Sequence, residues 1–151
     1  MIIYIAKEKK SANSVVKALK RHEEFYGKKL ILNKSSTGKP FLNTGYISIS
    51  HSGDYTVIAI ADSEVGIDIE KIREIDYKRI AKRFFRDEAI DNLNDFFDIW
   101  VRTESYLKYT GAGLKDLSKI ENISGTMNYD FINGYAMAIC SEEQSRAFCF
   151  L

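Results

Sequence analysis

Three short apolar runs, residues 46–50, 55–61 and 65–70, follow one another with only Ser52-Gly53-Asp54 and Asp62-Ser63-Glu64 between them. Runs of this length, rich in Ile, Val and Tyr and bounded by Gly, Ser and Asp, read as strands. Turns this short join antiparallel neighbours, so a meander is expected. The chain around it follows the same logic. Residues 1–6 read as a strand and 11–25 as a helix, with Ser11 as its N-cap, Val15, Val16 and Leu19 on its apolar side, and Gly27 as its stop. Residues 31–33 suggest a short strand, and 35–40 a loop holding the only proline. Short helices are expected over 77–85 and 87–93, and a longer one over 95–109, stopped at Gly111 and Gly113. Residues 134–140 and 146–151 return to strand across a polar turn. The fold class is therefore α+β, with a mostly antiparallel sheet packed against helices.

At 151 residues, 45% hydrophobic and 13% aromatic, the chain can bury one ordinary core, which argues for a single domain over residues 1–151 and against disorder. The longest apolar runs, such as Val57-Ile58-Ala59-Ile60-Ala61, fall far short of the ~20 residues a membrane span needs. The N-terminus places apolar residues before its lysines, the reverse of a secretory leader, so a cytoplasmic location is expected. Cys140 and Cys149 have no CxxC partner and no histidine pair nearby, and are expected to be reduced core residues. Charge is divided unevenly: residues 1–40 sum to +7 and 41–151 to −6. That division suits a polyanionic ligand drawn to a carboxylate site, and equally a solvated lysine-rich surface.

Asp68 and Glu70 stand at i and i+2 in Gly66-Ile67-Asp68-Ile69-Glu70. On a strand both carboxylates leave one face while Ile67 and Ile69 enter the core. Paired carboxylates suit Mg²⁺ or Mn²⁺, although an amphipathic strand with solvated acids has the same pattern. Trp100, Glu104 and Lys108 share one helical stripe, either as a site wall or as a surface ion pair beside a core indole. In Ser50-His51-Ser52-Gly53-Asp54 a histidine and two hydroxyls end a strand at a glycine turn, where backbone can approach a ligand. The segment 71–86 carries seven Lys or Arg against two acids, which suits an acidic partner or a solvated face.

The succession Gly38-Lys39-Pro40, Ile49-Ser50-His51-Ser52-Gly53-Asp54, Gly66-Ile67-Asp68-Ile69-Glu70, Arg83-Phe84-Phe85 with Glu88, Trp100 with Glu104 and Lys108, and Gly111-Ala112-Gly113-Leu114 resembles the 4′-phosphopantetheinyl transferases of the surfactin-synthetase-activator type. The resemblance implies transfer of the 4′-phosphopantetheine arm of coenzyme A to a serine of an apo-acyl or peptidyl carrier protein, with no nucleic acid and no membrane involved. It implies Mg²⁺, or Mn²⁺ in its place, on Asp68, Glu70 and Glu104. Glu104 is also implied as general base and Lys108 as a catalytic phosphate contact. Lys39, Pro40, Ser50, His51 and Lys108 are implied at the coenzyme A site. The fold implied is an abbreviated pseudo-twofold duplication, with 1–43 as a shortened N-terminal lobe and 44–151 as the lobe holding the metal site. Lys9, Lys10, Lys28 and Lys29 are candidates for the 3′-phosphate cations that a longer first half would supply.

One departure stands out. The family pattern W-x-x-K-E has a lysine before the helix glutamate, where this chain has Thr103, and Arg102 projects about 100° away. The resemblance therefore leaves a second expectation open, a weakly active or inactive relative that binds coenzyme A or a carrier protein.

Overall fold

Residues 1–8, 11–36, 38–85, 89–113, 125–130 and 132–151 are described by the computed structural model. Among them, β1 (Ile2–Ala6) leads into α1 (Ser11–Tyr26), followed by β2 (Leu32–Lys34), β3 (Pro40–Leu42), β4 (Tyr46–Ser52), β5 (Tyr55–Ala61) and β6 (Val65–Lys71). Then come α2 (Tyr77–Phe84), α3 (Leu93–Thr110), β7 (Thr126–Tyr129), β8 (Tyr135–Ser141) and β9 (Ala147–Phe150). The strands form a four-stranded sheet ordered β4-β5-β1-β9, a three-stranded sheet ordered β6-β8-β7, and the small pair β2-β3.

Side-chain alternation turns these sheets into layers. Ile3 and Ile5 of β1, with Val57 and Ala59 of β5, meet Ile67 and Ile69 of β6 and Met137 and Ile139 of β8 between the two sheets. On the outer face of the larger sheet, Tyr4, Ile58 and Ile60 meet Val15 and Ala18 of α1. On the outer face of the smaller one, Ala136 and Ala138 of β8 meet Phe96, Phe97 and Val101 of α3. The order is helix, sheet, sheet, helix. Each fully buried Ile or Phe in these seams stabilises the fold by roughly 1.5–3 kcal/mol.

Capping sets the ends of α3. The Asn92 side chain accepts from the Asp95 amide at 3.0 Å while the Asp95 carboxylate accepts from the Asn92 amide at 3.2 Å, and Gly111 closes the helix in the left-handed region at φ 72°. Gly27, at φ 65°, ends α1 as expected.

The meander is corrected. β4 and β5 pair antiparallel, but β6 leaves β5 and pairs with β8 instead. Asp62 and Ser63, at the β5–β6 turn, both donate their amides at 2.8 Å to the Glu143 carboxylate. The turn is thus tied to a distant loop, which local sequence does not reveal. The final two strands do not pair with each other either: β9 crosses to the larger sheet and lies parallel to β1, Ile2 opposite Ala147. Residues 89–92 are not helical and Leu93 belongs to α3, so the short helix expected over 87–93 is absent from its described part, while 87 and 88 lie outside the described residues. Val16 is 51% exposed, against its expected place on the apolar side, and Ser11 is the first residue of α1. Cys140 is buried and Cys149 half-buried, and the two do not form a disulfide. No helix among the described residues is long and apolar enough to cross a membrane.

Candidate functional site

The site forms where the edge of one sheet meets the edge of the other under α3. Ile67 and Ile69 face the core between the sheets, so Asp68 and Glu70 share the opposite face, as their alternation requires. Asp68 is no solvated acid; it is 5% exposed. Its Oδ1 accepts from the Ser50 hydroxyl and from Lys108 Nζ, both at 2.7 Å, while its Oδ2 is buried with no hydrogen-bond partner. Burial pushes the Asp68 carboxyl above the usual carboxylate range, and Lys108 and Ser50 offset only part of that. Glu70 is more open, and its Oε2 accepts from the Ser52 hydroxyl at 2.8 Å and from Arg73 at 3.0 Å.

α3 lies over this face because Gly66 lets it. A Cβ on Gly66 would collide with the Ser105 carbonyl and fall 2.6 Å from the Tyr109 amide, so the helix can sit this low only over a glycine. Three turns of that helix carry Trp100, Glu104 and Lys108. Trp100 stacks on Phe96 and meets Phe85 edge-on, which makes it an anchor for α3 rather than a wall of the site. Lys108 donates to the Ile49 carbonyl at 3.3 Å, the Ile67 carbonyl at 3.0 Å and Asp68, which spends all three ammonium protons. Glu104, half-buried, is raised above the usual glutamate range first by burial and then by the charge of Asp68; Lys108 opposes the shift and Glu70 adds to it.

Asp68, Glu70 and Glu104 therefore sense one another. Even so, no group of three or more His, Cys, Asp or Glu among the described residues is arranged to hold a metal ion. Lys108 and Ser50 cover one oxygen of Asp68, and Ser52 and Arg73 one of Glu70. What fits a hard cation here is the chemistry of the donors: all are carboxylate oxygens, and Asp68 Oδ2 is a buried acceptor lacking a partner.

The residues implied at the nucleotide divide. Lys39 and Pro40 line a cleft of about 330 Å³ together with Ile47, Ile49, Lys108 and Gly111. Lys39 also pairs with Glu64 at 3.8 Å, both partly exposed. His51 lies exposed at the end of β4 and does not line that cleft, and Ser50 gives its hydroxyl to Asp68. Lys9, Lys10, Glu88 and Leu114 lie outside the described residues. Thr103 is 2% exposed and donates to the Ile99 carbonyl one turn back, while Arg102 reaches to Thr126 of β7 at 3.2 Å. Neither brings a cation to the acid pair. The residues that sequence reasoning undervalued are Ser48 and Ser52 and the spacing role of Gly66; a serine at every second position of β4 is the signal that marks the first two.

The model of the 4′-phosphopantetheinyl transferase superfamily matches residues 64–150, a span that holds Asp68, Glu70, Glu104 and Lys108. The chain belongs to that superfamily. Among curated relatives, the 4′-phosphopantetheinyl transferase gsp of Aneurinibacillus migulanus is 38% identical over 56% of this chain and 40% of its own length. The 4′-phosphopantetheinyl transferase psf-1 of Bacillus pumilus is 39% identical over 56% and 41%. The 4′-phosphopantetheinyl transferase Sfp of Bacillus subtilis is 30% identical over 68% and 57%. This superfamily member thus spans about half the length of the curated relatives it matches.

Proposed function

We propose that the protein transfers the 4′-phosphopantetheine arm of coenzyme A to a serine of an apo-acyl or peptidyl carrier protein, releasing 3′,5′-ADP. The observation that carries this reading is Asp68. It is a buried carboxylate with one oxygen tied down and the other unpartnered, facing a half-buried Glu104, in a chain of this superfamily. Asp68, Glu70 and Glu104 would hold Mg²⁺ or Mn²⁺. When bound, the cation offsets charge on the pyrophosphate of coenzyme A.

The chain's own residues supply the rest. Glu104, with its raised proton affinity, takes the proton of the carrier serine as that oxygen bonds to the β-phosphorus and the bond to 3′,5′-ADP breaks. Lys108 stands between the cleft and the acid pair and exchanges a backbone carbonyl for a phosphate oxygen. Lys39 and Pro40 line the cleft and receive the nucleotide, and the exposed His51 reaches the 3′-phosphate from outside it. The exposed cations of α2, Lys78, Arg79, Lys82 and Arg83, receive the acidic face of the carrier. We assign residues 1–43 to a first lobe and 44–151 to the lobe with the acid pair, a pseudo-twofold arrangement supported by α1 and α3 covering opposite outer faces. The workplace is the cytoplasm, where coenzyme A and carrier proteins meet.

Incubation of apo-carrier protein with coenzyme A and Mg²⁺ tests the reading. A mass gain of one phosphopantetheine on the carrier is expected, and an unmodified carrier overturns it. Thr103 and Arg102 favour one second reading, since the site lacks a cation just before Glu104. In that case the protein binds coenzyme A or the carrier with little or no transfer, and binding without a mass gain is its signature.

A further inference from the structure

β4 and β6 lie side by side, yet they belong to different sheets. Hydroxyls join them. Ser48, Ser50 and Ser52 point from one face of β4 to β6, opposite the face of Ile47 and Ile49, and each is used differently. The Ile67 amide donates to the Ser48 hydroxyl at 3.0 Å. The Ser50 hydroxyl donates to Asp68 Oδ1 at 2.7 Å. The Ser52 hydroxyl donates to Glu70 Oε2 at 2.8 Å and accepts from the Lys71 amide at 3.0 Å.

We propose that Ser50 and Ser52 are positioning residues that aim the carboxylates of Asp68 and Glu70, while Ser48 only sets the distance between the strands. The proposal rests on reading this acid pair as the cation site. Its basis is the division of labour among the bonds. A carboxylate turns easily about its last torsion, so nothing in the chain itself decides which oxygen faces inward. Bonds from hydroxyl to carboxylate at 2.7 and 2.8 Å are short and charge-assisted, and they pin one oxygen of each acid. At Asp68 the hydroxyl and Lys108 both choose Oδ1, which leaves Oδ2 buried and unpartnered. Pairing with β5 does not call for serines, because the residues opposite Ser48 and Ser50 there are Ala59 and Val57. Serines here match the acids of β6.

Mn²⁺ titration followed by the loss of the free-ion paramagnetic signal, alongside urea unfolding in chelator, separates the roles. Hydrogen-bond partners of metal ligands typically contribute 10–100-fold to affinity, so Ser50→Ala and Ser52→Ala should each weaken Mn²⁺ binding about 10-fold. Ser50→Thr should restore it. Ser48→Ala should lower the unfolding midpoint and leave Mn²⁺ affinity unchanged. Should Ser50→Ala not fold, Ser52→Ala at the more open end of the strand carries the measurement. If the two alanine variants bind Mn²⁺ as the natural protein does while Asp68→Asn has lost it, the aiming role is wrong and the cation site stands. If the natural protein binds no Mn²⁺, or Asp68→Asn binds it equally well, the cation reading falls and the aiming role with it.

Discussion

Glu104 holds its proton above the usual 4.5 because burial and the charge of Asp68 both disfavour the anion. In chelator the Glu104 carboxyl should therefore titrate above an exposed glutamate, and added Mg²⁺ should bring that value down. Glu104→Gln keeps the shape and removes both charge and basicity, and transfer should fall by at least ~10²-fold; single-turnover transfer measures the loss. Lys108 is a different case. Lys108→Met leaves the buried Asp68 carboxylate with Ser50 alone, which should destabilise the protein by about 3 kcal/mol, the lower end of the cost of breaking a buried pair because Lys108 is 30% exposed. Urea unfolding at neutral pH reads the loss. It should shrink in acid, where Asp68 takes up a proton and no longer needs a cation. The shared face of Asp68 and Glu70 was legible in the sequence because strand alternation alone decides it. The bond from Ser50 to Asp68 was not legible, because a partner 18 residues further along leaves no local signal.

α3 was legible almost to its ends, since a helix carries its own signals in its caps and period. Its height above β6 was not, because that depends on one missing side chain at Gly66. Gly66→Ala should push the helix away and destabilise by about 3 kcal/mol, the upper part of the overpacking range, with thermal unfolding as the measure and an unchanged midpoint as the refuting result. α1 carries a pH response of its own. His22 stacks on Tyr26 at 4.6 Å and its Nδ1 lies 3.1 Å from the Tyr4 hydroxyl. Burial holds its pKa below the ordinary 6.5, with Asp62 opposing. A histidine that resists protonation in the folded state gives stability that is full above pH 6.5 and is lost as pH falls from there through the lowered value. Urea midpoints across that window should decline in the natural protein and stay flatter in His22→Phe.

At the scale of the whole molecule, most strands were legible, but beyond the β4–β5 hairpin their partners were not. The β5–β6 and β8–β9 connections look like hairpin turns in sequence, yet both carry the chain from one sheet to the other. Pairing is decided by contacts such as Glu143 with the Asp62 and Ser63 amides, some 80 residues apart, and local pattern cannot encode them. β7 escaped notice because Thr126-Met127-Asn128-Tyr129 alternates over only four residues and holds no apolar run. Charge is a property of the whole surface and does survive in sequence. Lys82→Glu on the exposed side of α2 should weaken carrier docking severalfold and leave coenzyme A affinity intact, which calorimetry with each partner separately would measure. The parallel pairing of β1 with β9 has a further consequence, for the order of events during synthesis. β1 is buried at the centre of the larger sheet, between a strand that ends at Ala61 and one that begins at Ala147. At about 5–20 residues per second, a ribosome takes roughly 4–17 s to travel between them. For that interval the nascent chain carries an unprotected β1 edge, and closing the sheet must wait for the tunnel to release β9.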